Sequence, residues 1–265
     1  MIWLITKYVL TAALRDRLLW GGLLLLFVGV SLSMFLGSSA ITESDQFSLI
    51  FAASGLRVCG NLALILFTVF YLRRSFESRD VEYLLSRPIS KLQFLIAHFL
   101  AFTLLALTAS ILITLTLMFM PSASVNGQSV NGQGANGQAD FFLWGLSLWV
   151  ELNIMVAMAA FFSFVLSSAV TASLATFSFY VLSRLIGDIL GIIEVGQSAG
   201  IYALMEKAML LISIFIPRLD LMAQSAWLLY GVTDNLNWPF ILGQGLVFTG
   251  FIFMATLLDL NKRQF

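Results

Sequence analysis

Charge is what this sequence has least of. Only 11% of its 265 residues are Asp, Glu, Lys or Arg, while 60% are hydrophobic and the mean hydropathy is +0.95. A soluble domain is about a quarter charged, so the composition excludes that class and points to an all-α integral membrane protein with several spans. Basic and acidic residues balance at fourteen each, which leaves no net attraction for nucleic acid. A single cysteine, Cys59, and a single histidine, His98, exclude an intramolecular disulfide and a Cys/His metal cluster within one chain. Cys59 reads as small apolar filler inside a span. Neither a GxxxxGK[ST] phosphate loop nor an HExxH pair occurs.

What is present is a series of long apolar runs. Residues 1–17 place Ile2, Ile5, Val9 and Ala12 at helical spacing, with Trp3 and Tyr8 suited to the headgroup level. They form either an interfacial elbow helix lying along the membrane or the start of a long first helix, and we expect the elbow. The run Leu18–Leu36 is too long for the roughly 7–15 residue core of a signal peptide and reads as a retained span. Six spans follow by hydropathy: about Leu18–Ser38, Ser48–Leu72, Leu92–Met120, Phe141–Leu166, Val170–Ile193 and Pro239–Leu258. Between the third and fourth, 121–140 repeats Asn-Gly-Gln with period five and reads as a flexible outer loop. Between the fifth and sixth, 194–238 contains Met209–Ile216, too short to cross a ~30 Å core. One or two short helices are expected there, packed on the outer face or dipping in from it.

The scarce charge is concentrated. The segment Tyr71–His98 holds Arg73, Arg74, Glu77, Arg79, Asp80, Glu82, Arg87 and Lys91. Six spans put both termini on one side, and ten of the fourteen Lys and Arg then fall on that side together with this loop. The bias of positive charge toward the cytoplasm assigns the loop and both termini to the inside. Ser75 is a candidate helix cap with Glu77 in the first turn, Pro88 a stop, and Ser90 a cap for the third span beginning at Lys91. Phe76, Val81, Tyr83, Leu84 and Leu85 offer apolar contacts on such a helix, and Glu77, Arg79, Asp80 and Glu82 offer charges. Such a helix is either a lever for a docking partner or a solvated connector rich in topogenic arginine.

The order Glu77, Glu82, Leu84-Leu85, Arg87-Pro88, Ser90-Lys91, Phe94-Leu95 resembles the cytoplasmic loop of ATP-binding-cassette (ABC) transporter permeases of the second exporter class. The elbow, the six spans and the outer helical segment resemble that family too, and Ile216-Pro217-Arg218-Leu219-Asp220-Leu221 is similar to a stretch in its copper-maturation-type members. Ala97-His98 departs from the family's Gly-Lys, and Lys91 replaces its usual arginine. The resemblance implies a permease domain over 1–265, with a coupling helix in 73–91 that docks on a separate ATPase subunit. The docking residues would be Phe76, Glu77, Arg79, Asp80, Glu82, Tyr83, Leu84, Leu85 and Pro88. It further implies two permease copies with two ATPase subunits in a bacterial inner membrane, with ATP and Mg on the ATPase, no cofactor in this chain, and export of an unidentified substrate.

Three charges fall inside the fourth and fifth spans: Glu151, Arg184 and Asp188. A charge at mid-bilayer costs at least ~2.5–3.5 kcal/mol, so these should be paired or wetted. Arg184 and Asp188 are i,i+4 neighbours, and the three are expected to form one network between the fourth and fifth spans. That network either lines a substrate path or fixes packing. Arg57 is expected to snorkel to headgroups, and His98 to sit at the interface. Two other functions stay open: a non-transporting scaffold or mechanotransmitting subunit, and an intramembrane enzyme built on Glu151 and Asp188.

Overall fold

The structure, a computed structural model, describes residues 2–39, 44–77, 90–120, 137–195, 216–231 and 238–262. No strand occurs among the described residues. Among the described residues the helices are α1 (Ile2–Arg15), α2 (Arg17–Ser38), α3 (Ser44–Glu77), α4 (Lys91–Met118), α5 (Gly137–Val165), α6 (Ala169–Val195), α7 (Trp227–Tyr230) and α8 (Trp238–Lys262). Among the described residues a 3-10 turn covers Leu219–Leu221. Six of the helices are long and apolar enough to cross a membrane, namely α2, α3, α4, α5, α6 and α8. The chain is therefore a multi-pass helical membrane protein.

These segments are helical because hydrocarbon offers backbone groups no partner but one another. Many of their hydroxyls obey the same rule. Thr11, Ser33, Ser48, Thr114, Ser163, Thr176 and Thr256 each donate to the carbonyl four residues earlier, so no hydroxyl is left bare on these turns.

The bundle is built around α5. It packs on α3, α4, α6 and α8, and 72% of its most apolar window is buried against 11% for α2. Small residues admit close neighbours. Ser110 of α4 donates to the Gly145 carbonyl of α5 at 2.5 Å, and a Cβ on Gly145 would collide with the Thr114 side chain.

Several helix ends differ from the sequence reading. The second span continues to Glu77, so Ser75 lies in the last turn of α3 and is not an N-cap. The Phe76 ring holds that turn by standing edge-on against Phe164 of α5, with centroids 5.3 Å apart. The fourth span begins at Gly137, inside the stretch expected to be a flexible loop, with Asp140 in the first turn, where a carboxylate favours the positive helix end. The last span runs on to Lys262. Ser90 does cap α4, in a capping box with Gln93. α1 is a helix separate from α2, broken at Asp16. It buries Ile5, Thr6, Val9 and Ala13 against α4, where Thr6 Oγ1 donates to the Ala97 carbonyl at 3.2 Å.

At the loop end, the Lys91 ammonium donates to the Leu260 carbonyl at 3.2 Å. A cation thus satisfies the last turn of α8, and the start of α4 stands beside the end of α8.

Candidate functional site

Three helices each contribute a polar pair four residues apart. These are Arg57 and Asn61 on α3, Ser147 and Glu151 on α5, and Tyr180 and Arg184 on α6. In a helix, i and i+4 share a face, and the three faces converge on one another and on the backbone of 219–223. Glu151 is fourteen residues from either end of α5, so the cluster sits about 21 Å from each terminus at 1.5 Å per residue.

Glu151 is fully buried. Its Oε1 accepts from Asn61 Nδ2 at 2.9 Å, and the same amide nitrogen donates to the Arg57 carbonyl at 3.1 Å. Its Oε2 lies 3.6 Å from Arg184 Nη1, an ion pair too long for a hydrogen bond. The Tyr180 hydroxyl lies close to both Arg57 and Glu151. Arg184 Nη1 donates to the carbonyls of Leu219 at 2.6 Å and Met222 at 3.1 Å. Arg57 Nη1 donates to the Ala223 carbonyl at 2.6 Å. The Ala223 amide in turn donates to Ser147 Oγ at 3.0 Å.

The reason for two guanidinium groups lies in the segment they hold. Leu219, Met222, Ala223, Trp227 and Leu228 are buried at 0–3% exposure, yet the backbone there is not a continuous helix. Non-helical backbone at membrane depth survives only where protein satisfies it. Ala223 also takes φ 47°, a left-handed conformation costing ~1–2 kcal/mol in a residue with a Cβ. Bonds to its N–H and to its carbonyl hold it there. A Cβ on Gly187 would collide with the Asp220 side chain, so the glycine lets the turn press against α6. Beside the cluster, Arg218 and Asp220 pair at 2.8 Å.

Two arginines against one glutamate leave the central group with one net positive charge. Arg57 Nε, Asn61 Oδ1 and Glu151 Oε2 make no hydrogen bond among the described residues. The cluster therefore keeps polar capacity beyond what the packing uses.

The sequence-predicted residues fall out as follows. Glu151 and Arg184 meet. Asp188 is exposed and forms no ion pair with Arg184, because that guanidinium turns toward Glu151 and the carbonyls of 219 and 222. Arg57 does not snorkel: it is 8% exposed and spans the core to Ala223. His98 faces the core of the bundle. It is 3% exposed, donates from Nδ1 to the Phe94 carbonyl at 2.9 Å, and packs among Phe94, Tyr71 and Phe102. Phe76, read as a surface contact for a partner, is half-buried against Phe164, and Glu77 is exposed at the end of α3. Arg79, Asp80, Glu82, Tyr83, Leu84, Leu85 and Pro88 lie outside the described residues.

No protein-family model matches the chain, and no curated protein matches it. Among the described residues no group of three His, Cys, Asp or Glu side chains could hold a metal.

Sequence reading missed Asn61, Ser147, Tyr180 and Ala223. The i,i+4 recurrence of polar residues within three apolar spans is a signal that could have found the first three. Nothing in the sequence marks Ala223.

Proposed function

We propose that this chain is the membrane permease subunit of an ABC transporter, working as a dimer with two separate ATPase subunits. The observation that carries this reading is the mounting of the charged loop. At 1.5 Å per residue, the 34 residues of α3 span about 51 Å, well past a hydrocarbon core of ~30 Å. One unbroken helix thus runs from Arg57 and Asn61 in the polar cluster to Glu77 at the base of the loop. On the far side of residues 78–89, α4 starts abruptly at its Ser90 capping box. Phe76 against Phe164 ties the same base to the end of α5.

A force applied at 78–89 would therefore reach α3, α4 and α5 with little slack. In the proposed cycle, ATP closes the ATPase pair, the loop moves with it, and the spans exchange inward for outward access. Arg57, Asn61, Glu151 and Arg184 then form the polar part of the path, where spare hydrogen-bonding capacity faces three moving helices.

Co-purification of the tagged chain with a P-loop ATPase, followed by Glu82→Ala and Leu84→Ala, tests the docking. Loss of the ATPase, or hydrolysis that no longer responds to the permease, is expected. An ATPase retained with unchanged hydrolysis in both variants would overturn the assignment.

A further inference from the structure

Between α1, α2, α3 and α4 lies a groove of about 450 Å³. Leu10 and Leu14 of α1 form one wall. The floor is low because it is made of Gly22, Gly60, Ala63 and Ala109. No lining residue is charged, and only Thr108, Cys59 and the Trp20 indole bring a heteroatom in their side chains. Its rim is equally apolar, with Trp20, Leu23 and Leu112 at 44–65% exposure. A folded protein partner would find no polar rim here, whereas hydrocarbon chains surround such a surface on every side.

Lys7 stands in register with one wall of the groove. Lys7, Leu10 and Leu14 follow at spacings of three and four, so they share a stripe of α1. Lys7 is exposed, and among the described residues it forms no ion pair. The Thr6–Ala97 bond sets this part of α1 about 9 Å from the start of α4 at 1.5 Å per residue. That is the end of the bundle where the charged loop attaches. An apolar groove with an exposed cation one turn along α1 from its wall matches an amphiphile with a negative head, and a lysine stem reaches such a head without burying its charge.

We propose that the groove holds one acyl chain of an anionic membrane phospholipid, with the Lys7 ammonium on the headgroup phosphate. The site is separate from the polar cluster and from the charged loop, and it does not depend on the transporter reading. α1 is thereby fixed on the bundle by lipid as well as by α4.

The test is native mass spectrometry of the full chain, purified in mild detergent and equilibrated with equal amounts of phosphatidylglycerol and phosphatidylcholine. The wild-type chain should retain one lipid per copy, with phosphatidylglycerol favoured several-fold. Ala109→Phe, which fills the floor, should lose it. Ala63→Leu does the same from α3 and covers a folding defect in the first variant. Lys7→Glu should keep an acyl chain but bring the two lipids to parity, and Lys7→Arg should restore the preference. Equal retention in both filled variants, a preference unchanged in Lys7→Glu, or detergent alone in the groove would each overturn the assignment.

Discussion

Arg57 on α3 donates to the carbonyl of Ala223, 166 positions further along the chain, at 2.6 Å. A side chain from the second span thus fastens a non-helical turn that the chain makes only after its fifth. The same turn is held from α6 by Arg184 and from α5 by Ser147, so one short segment ties three spans together.

Arg57→Ala removes a charge-assisted bond and leaves a carbonyl without a donor at membrane depth. A loss of about 2–4 kcal/mol is expected from the lost bond and the orphaned acceptor, read as a lower unfolding midpoint in detergent. Arg57→Lys should recover only part, because one ammonium cannot reproduce the reach of the guanidinium fork.

Glu151 and Arg184 should show coupling in a double-mutant cycle. Glu151→Gln keeps the acceptor for Asn61 but leaves two arginines without a counter-charge, so it should destabilise. Adding Arg184→Gln should restore part of that loss, with a coupling of ~0.5–3 kcal/mol. Strict additivity of the two substitutions would show that the 3.6 Å pair carries no energy.

Ala223→Gly should raise the unfolding midpoint. Glycine takes φ 47° without the ~1–2 kcal/mol that a Cβ costs, and only a methyl group is lost from the packing. Ala223→Val should act in the opposite sense, since a β-branched residue is a genuine outlier at positive φ. Equal stability of the two would contradict the geometry.

Gly145→Ala sets a methyl group against Thr114 and should push α4 from α5, weakening the Ser110 bond to the Gly145 carbonyl. Thr114→Ala in the same chain should rescue it. Thermal unfolding of the two single variants and the double variant gives the answer, and a double variant no better than Gly145→Ala alone would count against the collision.

Much of the fold was legible from the sequence because hydrocarbon makes strong demands. Long apolar runs had to be helices, and Ser90 announced a cap, which Gln93 completes through purely local chemistry. The ends that were misplaced depend on distant partners. Glu77 is still helical because Phe76 finds Phe164, which no local pattern reveals. The cluster was half legible for the same reason. Glu151 and Arg184 were conspicuous as charges inside spans, but Arg57 sits closer to the start of its helix and looked free to reach headgroups. Its partner is a backbone carbonyl, and any residue type supplies one. Asp188 misled because i,i+4 spacing permits a pair without compelling it, and Arg184 has better acceptors across the bundle.

The anchoring of 219–223 has a consequence for biogenesis. Synthesis delivers Arg57 to the membrane first, Glu151 ninety-four residues later and Arg184 after that, while the carbonyls that the two arginines hold come last. Until residue 223 has been made, the nascent bundle carries guanidinium groups whose final acceptors do not yet exist. The last of the six apolar helices, α8, starts fifteen residues after Ala223, beyond α7, so closing the bundle and quenching those charges belong to one late step. A chain truncated before Leu219 should for that reason remain with insertion factors or quality-control proteases, although five of its six apolar helices are already complete.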